Sequence, residues 1–248
     1  MSSKTILLFL LLLISKFGIS QSKISVLIPS VDEETDYIWR NLQDIPFFDE
    51  NGYKISLPKG KLIDELVNKS RKGVLNDKDY PLLKSFISDS VYKKTDYISG
   101  YKKVKAVENL VHRMLVDINA SHFNGNFKKF DEYKIVLTLY GPGGSYDPDT
   151  GSILLFTTTE GKFKNYDNPA NTIIHEIIHI GIEESLVQQC NIPHALKERI
   201  VDQFVSLYFG AVLKDYKIQD MGDYRIDSYL KTKVDVLQLE KWVKSILN

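Results

Sequence analysis

From Asn168 the chain reads Asn-Pro-Ala-Asn-Thr-Ile-Ile-His-Glu-Ile-Ile-His, and this segment restricts the fold more than any other. Asn168 is a good N-cap and Pro169 a good first helical residue, so a helix is expected to start there. Ile173, Ile174, Ile177, Ile178 and Ile180 cover most of its circumference, which places the helix inside a core. His175 and His179 then project from one face, one turn apart, with Glu176 beside the first. Two imidazoles and a carboxyl are costly to bury without partners, and a shared metal ion would be such a partner. The competing reading is a pair of core histidines bonded to backbone carbonyls, which needs no metal.

A third ligand separates these readings, because catalytic zinc usually has three protein ligands and one open position. The only cysteine is Cys190, so a zinc cage of cysteines is excluded and any metal must be held by His, Asp or Glu. The histidines are His112, His122, His175, His179 and His194. Four candidates follow the pair. Glu183 lies eight residues beyond His175, ~12 Å along an unbroken helix, and cannot converge unless the helix breaks. Glu184 is rotated off the ligand face. His194 is within reach of a returning chain. Glu198 has the best context: Asn191-Ile192-Pro193 makes a turn, and a second helix is expected from about His194 toward Val212, packing through Leu196, Ile200, Val201, Phe204 and Leu207. It returns past the first helix and can present Glu198 to both imidazoles. Asp202, one turn further on, is placed to satisfy the second ring nitrogen of His175.

His175-Glu176-x-x-His179, eighteen residues, then Glu198-x-x-x-Asp202 resembles the gluzincin branch of the zincin metallopeptidases. The metzincin branch fits badly, because Ile182 and Ser185 occupy its Gly and third-His positions; the aspzincin Gly-Thr-x-x-Asp motif is absent. The resemblance covers about residues 133–213. It implies His175, His179 and Glu198 as Zn2+ ligands, Glu176 as general base and acid, and Asp202 as support behind His175. It also implies an α+β, zincin-like fold, a small antiparallel or mixed sheet with an edge strand beside the His-Glu-x-x-His helix. Ser152–Thr158 resembles the family's cleft-edge strand, which pairs with an extended peptide or protein substrate. The implied activity is hydrolysis of peptide bonds; the alternative is a secreted zinc-binding or protein-binding domain of the same fold without catalysis. A donor to the oxyanion is to be sought among His194, Arg199, Tyr208, Tyr224 and Arg225, with His194 first and Tyr224 second.

The remainder of the chain supplies the setting. Lys4, the apolar run Ile6–Ile14 and the small residues Gly18 and Ser20 read as a signal peptide over 1–20, cleaved before Gln21, which implies a secreted or periplasmic protein. The run is too short to span a bilayer, and no later one is long enough, so no membrane is expected for the mature chain. With 32 basic and 32 acidic residues no excess charge points to nucleic acid. Residues 21–132 read as a mostly helical region, with a short strand at Lys23–Ile28 and helices at Lys61–Lys69, Tyr80–Tyr92 and Tyr101–Ile118; 133–248 reads as the catalytic region, with one continuous domain over 21–248 as the alternative. His112 falls off the apolar stripe of the third helix and reads as a surface residue. Lys134–Tyr140 and Ser152–Thr158 read as two strands of a β-hairpin with an elaborated loop, closed by Asp147-Pro-Asp-Thr-Gly151. No Lys-Ser/Thr follows Gly141-Pro-Gly-Gly144, so a phosphate cradle is not indicated, and the aspartates lack calcium-loop spacing.

Overall fold

The computed structural model describes residues 22–120, 127–164, 166–220 and 222–247; the expected signal peptide and His122 lie outside them. The protein is α+β. Four strands, β1 (Lys23–Leu27), β2 (Glu132–Thr138), β3 (Gly144–Asp147) and β4 (Ser152–Phe156), form one sheet in the order β1-β2-β4-β3. Alternation drives it: Ile24 and Val26, Tyr133, Ile135 and Leu137, and Ile153 and Leu155 all turn to one buried face.

The expected hairpin is wrong in its pairing. β2 and β4 run parallel, Lys134 opposite Ser152 through Thr138 opposite Phe156. The hairpin is instead β3 with β4, antiparallel, Gly144 opposite Leu155 and Asp147 opposite Ser152. Its turn is fixed by the Asp147 carboxylate, which accepts from Asp149 N at 2.9 Å and Thr150 Oγ1 at 2.8 Å, with Gly151 at φ 69°. Hence the Ser152–Thr158 strand is not the edge at this side of the sheet; β3 is.

The helices, in chain order, are α1 (Val31–Gln43), α2 (Ile45–Glu50), α3 (Lys61–Arg71), α4 (Tyr80–Phe86), α5 (Ile98–Ala120), α6 (Ala170–Ile182), α7 (His194–Phe209), α8 (Lys233–Val236) and α9 (Leu239–Leu247). The helix expected over Tyr80–Tyr92 is α4 followed by a wide turn at Ile87–Val91. α5 buries Val104, Val111, Met114, Leu115 and Ile118 against the sheet and α6. His112 on α5 is half-buried, its Nδ1 3.3 Å from Ser22 O. A second apolar cluster, Ile38, Trp39, Leu42, Ile63, Leu66, Leu83 and Ile87, joins α1, α3 and α4. β1 pairs with β2 and shares the main core with α6 and α7, so strand pairing crosses residue 132. Glu34 of α1 ties the helix to the end of β2, accepting from Tyr97 Oη at 2.7 Å, Thr138 Oγ1 at 3.1 Å and Leu139 N at 3.1 Å. Among the described residues no helix is long and apolar enough to cross a membrane.

Candidate metal centre

The sequence starts α6 as expected, one residue later: Asn168 Oδ1 accepts from Ala170 N at 3.0 Å, and Pro169 stands at the N-cap. Every residue from Ile173 to Ile182 is buried. The helix then widens into i→i+5 turns over Glu183–Gln188. Asn191, at φ 49°, and Pro193 reverse the chain, and asparagine is among the few residues that take this conformation readily. α7 returns across α6 with Leu196, Ile200, Val201 and Phe204 fully buried, which aims Glu198 at the two histidines.

Three donor atoms converge. His175 Nε2 and His179 Nε2 are 3.1 Å apart, and Glu198 Oε2 lies 3.6 and 3.4 Å from them. The point equidistant from three atoms so placed lies about 2 Å from each, the length of a zinc–nitrogen or zinc–oxygen bond. These residues are therefore a buried group able to hold a metal ion.

The charges agree with that role. Burial acts to raise the Glu198 carboxyl, but His179 and His175 outweigh it and hold it well below the usual carboxylate range. Burial drives His179 down to about 4, so its ring is neutral at physiological pH. Burial acts in the same sense on His175, yet hydrogen bonding to Asp202 and Glu198 prevails and pushes it up to about 10. Without a metal, His175 is thus the cation that compensates the buried acids.

Glu176 is not in the triangle. It is 7% exposed and lines the same cavity, and burial raises its carboxyl to about 7. Its carboxylate sits against the α-carbon of Gly144 at the start of β3, where any side chain would overlap it.

Asp202 stands behind His175, with one addition. Its Oδ1 is 3.4 Å from His175 Nδ1, and the Tyr216 hydroxyl sits beside both: it donates to Asp202 Oδ1 at 2.6 Å and lies 2.8 Å from Nδ1. A hydroxyl that donates to Asp202 must accept from Nδ1–H, so it is the Nε2 proton that a metal would displace, and the neutral ring then carries its lone pair on Nε2, toward Glu198. Asp202 Oδ2 accepts from Gln219 N at 2.8 Å.

A cavity of about 280 Å³ opens over the triangle, walled by Phe47, Phe48 and Tyr53 on one side and by Gly143, Gly144 and Tyr146 on another. Next to that aromatic wall, Asp49 at the end of α2 accepts two bonds from Arg71 of α3, 2.8 and 3.1 Å. His194 lines the cavity, its Nε2 2.7 Å from Tyr53 Oη and its Nδ1 3.7 Å from Glu198 Oε1. Burial and the nearby Glu198 and Glu176 push the Tyr53 phenol up to about 12.

Other candidates are elsewhere. Tyr224 is 54% exposed, donates to Asp220 O at 2.7 Å and does not line the cavity, so it is removed from the oxyanion candidates. Arg199 is held by the Asp227 carboxylate, and Arg225 by Asp223. Glu184 pairs with Lys128 at 3.4 Å, and Glu183 accepts from Tyr146 Oη at 2.7 Å. Tyr53, Tyr146 and Tyr216 are the site residues that sequence reasoning missed. With 14 tyrosines in the chain and none in the motif, only the fold distinguishes these three. Comparison with models of known protein families, with curated proteins and with solved structures finds no match, so the geometry of the site alone carries its reading.

Proposed function

We propose that the protein is an exported zinc-dependent metallopeptidase of gluzincin type. The observation that carries this reading is the triangle of His175 Nε2, His179 Nε2 and Glu198 Oε2 with the Glu176 carboxyl beside it in the same cavity. Two imidazoles and one carboxylate form a donor set of catalytic zinc, whereas structural zinc sites are usually closed by four protein ligands. Bound zinc supplies Lewis acidity, making water a nucleophile near neutral pH and polarising a carbonyl. Glu176 takes the proton of the attacking water and delivers it to the leaving amine; a carboxyl raised to about 7 is matched to both tasks. Tyr53 faces the cleft and, with its oxygen accepting from His194 Nε2–H, would keep its own proton free to meet a developing oxyanion. Among the described residues β3 pairs with β4 alone and borders the cavity, so its other edge is offered to an extended peptide by strand addition.

The test uses protein expressed with its complete sequence. Stoichiometric zinc is expected by elemental analysis, with cleavage of a peptide library by wild type. Glu176→Gln should keep the zinc and lose at least ~10²-fold in activity. A protein that takes up no zinc, or a Glu176→Gln variant as active as wild type, would refute the proposal.

A further inference from the structure

A metal-ligating histidine is ordinarily tethered at its second ring nitrogen by a carboxylate, a carbonyl or water. His175 has such a tether in Tyr216 and Asp202. His179 has none: its Nδ1 is buried, and no hydrogen-bond partner reaches it among the described residues. Yet its Nε2 is directed at His175 and Glu198. Something other than a hydrogen bond must stop the ring from turning.

Tyr146 lies flat on it. The two ring centroids are 4.9 Å apart and the planes differ by 7°. The phenol is itself pinned at its far end: its hydroxyl donates to Glu183 Oε2 at 2.7 Å and accepts from Lys197 Nζ at 3.0 Å. Tyr146 comes from β3, Glu183 from the wide turn after α6 and Lys197 from α7, so three elements fix one aromatic plane. That also gives Glu183 a role, since it is no ligand. A parallel stack restricts rotation of the imidazole about its own axis. An imidazole depleted of electrons by a cation is, in turn, a better partner for an electron-rich phenol face.

We infer that Tyr146 is the positioning residue of His179, holding the imidazole in its metal-binding orientation by ring stacking where a hydrogen bond would ordinarily do so. The inference rests on the metal centre proposed above, and its test reads metal binding rather than peptide hydrolysis. Zinc affinity is measured by competition with a chromophoric chelator, and the visible spectrum is recorded after cobalt(II) loading, for wild type, Tyr146→Phe and Tyr146→Leu. Tyr146→Phe keeps the ring and should bind zinc close to wild type, with the same cobalt bands. Tyr146→Leu removes the flat face and should weaken zinc about ten- to a hundredfold and shift those bands. Equal affinity and spectrum for Tyr146→Leu and wild type would overturn the inference while leaving the metal centre intact. Loss of affinity in Tyr146→Phe as large as in Tyr146→Leu would overturn it in favour of the hydroxyl network. Wild type that binds neither zinc nor cobalt would overturn the centre and the inference together. If Tyr146→Leu does not fold, the zinc-loaded wild type decides by NMR: the His179 ring protons should resonate upfield from the ring current of Tyr146. Unshifted protons would overturn the stack.

Discussion

At the scale of single residues, the site depends on one missing side chain. A methyl at Gly144 would overlap Glu176 Oε1 and also crowd Thr172 Cγ2. Gly144→Ala should therefore displace the carboxyl without touching the donor triangle. We expect zinc binding close to wild type and a loss of peptidase activity of about 10²-fold, comparable to losing the general base. Unchanged turnover in that variant would show that the Glu176 carboxyl does not act from where it lies. His175 gives a second prediction. Its folded pKa is pushed up to about 10, so the metal-free ring holds a proton at pH 8. A ligand must be neutral, and binding must expel that proton. Zinc binding at pH 8 should release at least about one proton, and the affinity should rise about tenfold per pH unit between 7.5 and 8.5. Calorimetry in two buffers of different ionisation enthalpy measures this, and binding without proton release would contradict it.

At the scale of elements, most local signals were legible and strand partners were not. α6 and α7 carry their own signals: Asn168-Pro169 at one start, Asn191-Ile192-Pro193 before the other, and apolar residues at helical spacing between. Those two helices suffice to bring His175, His179, Glu198 and Asp202 together, so the group able to hold a metal was legible. α1 also had a local signal that went unused, Ser30 with Glu33 three residues on, which form a capping box with bonds of 3.2 and 2.7 Å. The direction of β2 against β4 was not legible, because alternation marks a buried face and not a partner. β3, four residues of Gly-Ser-Tyr-Asp, has no apolar alternation at all. Glu34 links α1 to β2 and yields a prediction at this scale. Burial raises its folded pKa, despite the three bonds it accepts. A carboxyl raised on folding costs stability progressively as pH climbs from its unfolded toward its folded pKa. Glu34→Gln has no such titration, so urea unfolding at pH 5 and pH 8 should show a smaller loss toward pH 8 in the variant than in wild type. An identical difference in both proteins would count against a raised pKa.

At the scale of the whole molecule, the donors sit inside the main core, not on an appendage. α6 and α7 contribute Ile173, Ile174, Ile177, Ile178, Ile200, Val201 and Phe204 to one continuous cluster with the sheet and α5. Metal binding should therefore stabilise the native protein as a whole. Free zinc at a hundred times its dissociation constant adds about 2.7 kcal/mol. Scanning calorimetry should show one transition that moves up with zinc and down with EDTA. A transition indifferent to both would mean that no metal is held in the core.

The wall and the floor of the cleft come from segments far apart in the chain. Tyr53 and His194, joined by one hydrogen bond, are 141 positions apart, while all three donors lie on two consecutive helices. Local contacts form before distant ones, because closing a long loop costs more entropy. The α6–α7 pair is therefore expected to form before Phe47, Phe48 and Tyr53 reach it. If the metal centre proposed above is real, a metal ion would on that order meet the donors before the aromatic wall covers them. Holding a metal and completing the cleft would then be separable steps, the first needing only α6 and α7 and the second the aromatic wall as well.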